Sequence, residues 1–223
     1  MKEDLSDLDD AFVIIGGGGI IHLPSPDYNN GIFGHLEELK NIGKYRVLWG
    51  AGHNVYFPVD YSGDKFPSIL DDQAMCAINT LPNLSTFDLV GLRDTSYLLI
   101  KGARRVPCVS CKSPLFKKVE TMPGIGIGAV LHEGSESTEF PQIYCEKSTF
   151  SEVTEFIRHF ETIVTDSYHA MYWSELLNKK VIFHNVHSTK FLLHRIESLQ
   201  RCAARNDMFY NNVMELVMRY MND

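Results

Sequence analysis

Residues 162–173 read TIVTDSYHAMYW and set the expected fold of the chain. An apolar run, TIV, is followed by Asp and Ser, residue types that commonly cap helices. Beyond this pair, Ala170 and Trp173 lie on one helical stripe. The stretch therefore predicts a strand that turns directly into a helix, with Ser167 and His169 at the junction.

The same alternation of strand and helix recurs along the chain and indicates parallel sheets covered by helices. Strands are predicted at residues 11–17, 45–50, 86–92, 104–110, 124–132, 142–147, 162–165 and 179–185. Helices are predicted at residues 34–42 and 68–81, after Asp94 or Thr95, from Thr149, from His169, and over 190–206 and 208–221. The proline-, glycine- and aspartate-rich stretch ahead of residue 68 predicts a loop. The predicted fold class is α/β.

A linker is predicted where Pro114 and Pro123 bracket a polar stretch ahead of a glycine-punctuated strand. We place a boundary near residue 122, which divides the chain into an N-terminal half, residues 1–122, and a C-terminal half, residues 123–223. Strand and helix alternate in both halves, so each half is expected to form its own parallel sheet.

Composition excludes some classes of protein. A formal charge of −7 and a pI near 5.7 lack the basic excess that nucleic-acid binding requires, so no nucleic-acid partner is expected. No apolar run reaches the roughly 18 residues of a membrane span, and the acidic N-terminus is unlike a secretory signal. The expected location is the cytoplasm, and no transmembrane segment is expected.

The chain has five cysteines, and two of them, Cys108 and Cys111, stand close together in the sequence CVSC. No second CxxC or HxxxH accompanies them to complete four zinc ligands, and no metal site is predicted. Two interpretations remain open for the pair, namely reduced thiols at the end of a strand and a redox or metal pair.

Polar residues follow the predicted strands at the edge where ligands bind in open parallel sheets. Four strand ends supply them, and the residues concerned are Gly17, Gly18, Gly19, Gly52, His53, Asn54, Arg93, Asp94, Ser167 and His169. The glycine run matches neither the GxGxxG dinucleotide pattern nor a P-loop. It is compatible with a backbone that closely approaches a ligand and equally with a tight turn.

The side chains at these ends suit an anionic ligand. Arg93 offers a planar fork for a carboxylate or phosphate, and Asp94 either holds that fork or forms a surface ion pair with it. His169 lies in the first turn of a helix, where the dipole favours anions and lowers an imidazole pKa. Ser167 is either a helix cap or a ligand, and His53 is either a ligand or bonded within its own loop.

Four segments resemble the polysaccharide pyruvyl transferases, which move pyruvate from phosphoenolpyruvate onto a sugar as a ketal. The segments read GGGGIIH, LWGAGHN, VGLRDTSYLL and TDSYHAMYWSELLNKKVIF, in this order, and the resemblance extends from about Phe12 to Phe183. It implies two Rossmann-like parallel-sheet halves in an arrangement like the GT-B glycosyltransferases, with the substrate between them. It also implies phosphoenolpyruvate as the donor substrate, without a further cofactor.

The resemblance implies roles for the site residues as well. His169 and Arg93 correspond to the substrate-contacting histidine and arginine of the family, so His169 is expected to act as general acid/base and Arg93 as the anion clamp. Gly17 to Gly19, with Gly52, His53, Asn54, Asp94 and Ser167, are expected to line the donor or sugar pocket. The acceptor would be a saccharide or lipid-linked saccharide in exopolysaccharide biosynthesis.

This chain also departs from the family pattern. Members usually begin with a further strand and helix that open on an Asn-x-Gly-Asp type turn, so the N-terminal half is expected to be truncated, in a fragment or in a short relative. Ser167 stands where other members carry an arginine, which removes one cation for the donor. The CVSC sequence stands where an acidic residue before a proline is expected.

Two other functions fit the same pattern. A GT-B glycosyltransferase using a nucleotide sugar would need a glutamate for the ribose, for which Glu175 is a weak candidate. A non-catalytic carbohydrate-binding or partner-binding remnant is the other alternative.

Overall fold

The structure is a computed structural model that describes residues 8–21, 42–54, 56–64, 83–116, 124–136 and 138–223. The strands are β1 (Phe12–Gly16), β2 (Tyr45–Ala51), β3 (Tyr56–Gly63), β4 (Leu89–Leu92), β5 (Arg104–Arg105), β6 (Ile127–Leu131), β7 (Gln142–Tyr144), β8 (Thr162–Thr165) and β9 (Lys180–Ser188). The α-helices are α1 (Phe150–His159), α2 (Tyr168–Leu176), α3 (Thr189–Leu192) and α4 (Leu199–Tyr220). The predicted boundary at residue 122 and the helix predicted at 68–81 lie outside the described residues, as does nearly all of that predicted at 34–42.

The first sheet has the strand order β1-β2-β4-β5 and is parallel throughout. Its strands fall where apolar runs predicted them, so the α/β class and the parallel first sheet are confirmed. The predicted strand 104–110 is much shorter than expected, because pairing ends at Arg105 and the chain enters a 3₁₀ helix, Val109–Lys112. Pro107 stands between them and has no amide hydrogen for the sheet.

The second sheet has the order β3-β9-β8-β6-β7, and β3 runs antiparallel to β9 while the other neighbours are parallel. The sheet is therefore mixed. The stretch that forms β3 was predicted as a loop, and that prediction was wrong. Its Pro58 is compatible with a strand because β3 is an edge strand, where one side needs no partner.

The strand-to-helix turn at residues 162–173 is confirmed: β8 is fully buried and leads into α2, whose N-cap is Ser167. The capping box predicted for α1 is also present, since Thr149 and Glu152 satisfy each other's backbone amides. The two helices predicted at 190–206 and 208–221 were wrong in their bounds. One long helix, α4, covers most of both predicted ranges, because Ser198 is its N-cap and no proline or glycine follows within it.

Each half of the chain contributes an element to the sheet of the other half. β3 precedes β4 in the chain but pairs with β9 in the second sheet. In the opposite direction, α4 packs on the first sheet through Phe209, which is 1% exposed and touches Val47 and Val106. The Trp49 and Phe209 rings meet edge to face at 5.2 Å. The two sheets are therefore joined by both of these elements.

Candidate functional site

A glycine turn closes the end of β1. Gly17 and Gly18 have φ angles of 68° and 71°, in the left-handed region that only glycine adopts without strain. The Gly17 amide donates to the Trp49 carbonyl at 2.8 Å, and the Gly52 amide donates to the Gly18 carbonyl at 3.1 Å. The turn therefore lies directly against the segment that follows β2.

Arg93 follows β4 and is buried, with 4% of its surface exposed. Its Cζ lies 4.2 Å from the centroid of the Tyr168 ring, a cation–π contact that joins the ends of the two sheets. Within the described part of the chain, no carboxylate pairs with this guanidinium. A buried cation without a counter-charge is costly, so the environment of Arg93 favours an added anion.

Asp94 does not hold the Arg93 fork, as one interpretation of the sequence expected. Its Oδ2 accepts from the backbone amide of His53 at 2.7 Å and faces the His53 Nδ1 at 3.2 Å, while its Oδ1 accepts from the Ser96 amide at 3.1 Å. Burial would raise the pKa of Asp94, but the hydrogen bonds and charge of His53 and the bonds from Ser96 hold that pKa below its ordinary value. Asp94 and His53 form a buried support behind Arg93.

Ser167 is buried, and its Oγ accepts from the Ala170 amide as the N-cap of α2. His169 follows in the first turn; the residue is partly exposed, and its ring stacks on Trp173 at 5.5 Å between centroids. Partial desolvation, together with the positive charges of Arg93 and Lys190, lowers the pKa of His169. Its imidazole is therefore neutral near neutral pH and able to accept a proton.

Two adjoining cavities bring residues of both sheets together, and Gly18, Arg93 and His169 line both of them. The larger cavity, about 230 Å³, is further lined by Ile14, Gly16, Gly17, Trp49, Gly50, Pro107, Cys108 and Val109. The smaller cavity, about 120 Å³, is further lined by Gly19, Asn54, His132, Ser167, Tyr168 and Lys190. Of the predicted site residues, Gly52, His53 and Asp94 line neither cavity and lie behind Arg93.

Three residues of the smaller cavity were not predicted as site residues, namely His132, Tyr168 and Lys190. Burial and repulsion by Arg93, opposed by Asp166, lower the pKa of Lys190 to about 8. A hydrogen bond to Asp166 raises the pKa of His132. His132 directly follows β6 and Lys190 lies two residues after the end of β9, so their place near strand ends was a signal that the sequence contained.

The charges around the smaller cavity favour an anion. Arg93 and Lys190 repel each other, and the nearest carboxylate, Asp166, is occupied by His132 and Ser135. A phosphate or carboxylate entering here would offset both cations and would also meet the amides of the first turn of α2.

Cys108 and Cys111 are both free thiols. Burial raises the pKa of Cys111 to about 11, which keeps it a thiol and a poor nucleophile. In residues 8–21, 42–54, 56–64, 83–116, 124–136 and 138–223, no group of three His, Cys, Asp or Glu side chains is arranged to hold a metal ion. None of the described helices has the length and apolar character needed to cross a membrane.

The geometry defines a mixed α/β protein with an electropositive cavity at the shared carboxyl ends of two sheets. Compared with known proteins, the chain matches no family, no curated protein and no solved structure. Any assignment of function therefore depends on the site itself and on the sequence motifs that build it.

Proposed function

We propose that this protein transfers a pyruvyl group from phosphoenolpyruvate to two hydroxyl groups of a saccharide, forming a ketal. The observation that supports this most directly is the meeting of Arg93 and His169, which come from different sheets and line the same two cavities. In this proposal the sheets are the cores of two Rossmann-like halves arranged as in the GT-B glycosyltransferases. The substrates lie between the halves.

The smaller cavity suits the donor. Phosphoenolpyruvate carries a carboxylate and a phosphate, and the cavity offers two cations, Arg93 and Lys190, together with the amino end of α2. Lys190 supplies a positive charge on the side of the site where Ser167 replaces the arginine of the resembling family.

The larger cavity suits the acceptor. Its wall combines the Trp49 ring and Ile14 with the bare backbone of the glycine turn, so it offers an apolar face with amide groups beside it. A saccharide, free or lipid-linked, would present its hydroxyl pair to His169, which lies where the two cavities meet. The setting of this proposal is exopolysaccharide synthesis in the cytoplasm.

The reaction consumes one phosphoenolpyruvate and one diol and releases one phosphate. A proton adds to the methylene carbon, the first hydroxyl oxygen bonds to the neighbouring carbon, and the second hydroxyl displaces phosphate there. Of the two hydroxyl protons, one replaces the proton that entered the methyl group and the other leaves on phosphate. His169 takes part as a proton acceptor because its imidazole is neutral near neutral pH.

Incubation with phosphoenolpyruvate and a panel of cell-surface saccharides tests the proposal, with inorganic phosphate measured by assay and the ketal methyl group by NMR. Arg93→Ala and His169→Ala should each reduce turnover by about 100-fold or more. The matched controls are Arg104→Ala and His159→Ala, which remove exposed side chains that line neither cavity. Arg93→Lys keeps the charge and reports whether the fork itself is needed.

Circular dichroism and urea unfolding of each variant separate a lost function from a lost fold. Failure of the wild-type chain to release phosphate with any acceptor would refute the transferase. Saccharide binding without turnover would then support a carbohydrate-binding protein. A nucleotide-sugar transferase has less support, because Glu175 is paired with His194 and lines neither cavity.

A further inference from the structure

His132 and Asp166 lie side by side because they follow neighbouring parallel strands, β6 and β8. The Asp166 Oδ1 accepts from the His132 amide at 2.9 Å and lies 3.1 Å from the His132 Nδ1. The Ser135 hydroxyl donates to Oδ2, so both carboxylate oxygens are held. The sequence predicted no role for Asp166 beyond a possible helix cap, whereas in the structure its carboxylate holds His132.

This contact fixes the tautomer of His132. An ionised carboxylate only accepts hydrogen bonds, so the Nδ1 of His132 carries the proton that faces Asp166. Nε2 is then the ring atom available to a ligand, although Glu146 Oε1 lies 3.9 Å from it. Asp166 is 8% exposed, so the carboxylate that orients the ring is itself shielded from water.

His132 lines the smaller cavity together with His169, so two histidines from different strand ends face one anion site. Their surroundings differ. His132 faces Asp166 and Glu146, opposed by Lys190, and the hydrogen bond to Asp166 raises its pKa. His169 is partly exposed, and its partial desolvation together with the charges of Arg93, Lys190 and His132 lowers its pKa. Two groups whose environments shift their pKa values in opposite directions suit an acid and a base.

We propose that His132, oriented by Asp166, is the proton donor of the site and that His169 is its proton acceptor. The assignment rests on the proposed function. In the first step, protonated His132 gives its proton to the methylene carbon while neutral His169 removes the proton of the first hydroxyl as its oxygen bonds to the neighbouring carbon.

The second step reverses both roles. Neutral His132 removes the proton of the second hydroxyl as that oxygen bonds to carbon, and protonated His169 delivers its proton to the departing phosphate. At the end His132 is protonated and His169 is neutral, so both residues return to their starting forms. No oxidant, reductant or further reactant is needed.

The first experiment follows the imidazole rings of the full chain by proton–nitrogen correlation NMR across a pH titration. His132 should titrate at higher pH than His169. Asp166→Asn should lower the pKa of His132, since it removes the charge but keeps an oxygen that accepts from Nδ1. An unchanged His132 titration in Asp166→Asn would overturn the pairing whatever reaction the protein performs.

The second experiment measures kcat/KM for pyruvyl transfer against pH. His132→Gln should lower kcat by about 100-fold or more with little change in phosphoenolpyruvate affinity, and His159→Gln, an exposed histidine on α1, should change neither. The rate should rise with pH as His169 loses its proton and fall as His132 loses its own, with Lys190, whose pKa is lowered to about 8, also contributing to the fall. Asp166→Asn should move only the falling limb, toward lower pH.

The outcomes separate the two proposals. Near-normal turnover by His132→Gln, or a falling limb unmoved in Asp166→Asn, overturns the role of His132 and leaves the transferase standing. Absence of transfer by the wild-type chain refutes the transferase, and the proton-transfer assignment with it.

Discussion

At the scale of single residues, the position of Arg93 depends on a neighbour that has no side chain. A Cβ atom built on Gly52 would lie 2.4 Å from the Arg93 Nε and 2.8 Å from its Cγ, which is closer than real atoms approach. The guanidinium can cross the backbone after β2 and reach the Tyr168 ring because residue 52 is glycine. Gly52 thus acts on the cavity through Arg93.

Gly52→Ala should displace Arg93 and weaken phosphoenolpyruvate binding by about 10-fold, close to the loss of one good contact. It should also destabilise the fold by about 1–3 kcal/mol through overpacking. Isothermal titration calorimetry and urea unfolding measure the two effects.

Gly128→Ala is the matched control. Gly128 belongs to β6 and lines neither cavity, and a Cβ built on it would lie 2.5 Å from the Phe160 ring. It should lose stability but keep the affinity of the folded protein. Equal losses of affinity in the two variants would contradict the role assigned to Gly52.

At the scale of secondary-structure elements, Ser167 connects the stability of α2 to the anion site. Its Oγ caps the helix, and the same residue lines the smaller cavity. Thr149 caps α1 in the same way but lies away from both cavities. The chain therefore contains two comparable caps, of which one belongs to the candidate site.

Ser167→Ala and Thr149→Ala should each cost about 1 kcal/mol of unfolding free energy, the usual loss of a cap. Only Ser167→Ala should also weaken phosphoenolpyruvate binding, since the first turn of α2 carries His169. Ser167→Asp should keep the cap yet bind the donor more weakly still, because it adds a negative charge to the cavity. Tight binding by Ser167→Asp would argue against an anion at this place.

The sequence predicted the elements whose signals are local. The apolar run of β8, the cap at Ser167 and the capping box at Thr149 each depend on a few adjacent residues. The strand β3 was missed because its partner, β9, is distant in the chain and Pro58 suggested a loop. At the site, Arg93 and His169 were predicted because each follows a predicted strand. The pairing of His132 with Asp166 could not be predicted in this way, because it depends on β6 and β8 being neighbours in the sheet.

At the scale of the whole molecule, several contacts join the two sheets besides the exchange of β3 and α4. The Ser188 hydroxyl donates to the Asn54 side-chain oxygen at 2.6 Å, and the Thr95 amide donates to the Leu193 carbonyl at 3.0 Å. The buried side chains of Arg105 and Glu197 lie 3.6 Å apart, which holds the segment before α4 against β5 of the first sheet. These contacts favour unfolding of both sheets as one unit.

The two tryptophans test this, since Trp49 belongs to β2 of the first sheet and Trp173 to α2 beside the second. Single-tryptophan variants, Trp49→Phe and Trp173→Phe, should show the same urea midpoint by fluorescence as by circular dichroism. Each variant is compared with its own circular dichroism curve, so a change in overall stability does not affect the comparison. Two separated midpoints within one variant would indicate sheets that unfold independently.

The crossing of β3 and α4 also bears on how such a protein changes during evolution. A recombination event that joined the N-terminal or the C-terminal half of this chain to a foreign partner would break two contacts. The edge of β9 would lose its partner β3, and Phe209 would lose its packing against Val47 and Val106. New ligand preferences would therefore arise by point substitutions around the cavities and not by shuffling of modules. Such a protein is expected to change at the residues around its cavities while its two sheets and their connecting elements are inherited unchanged.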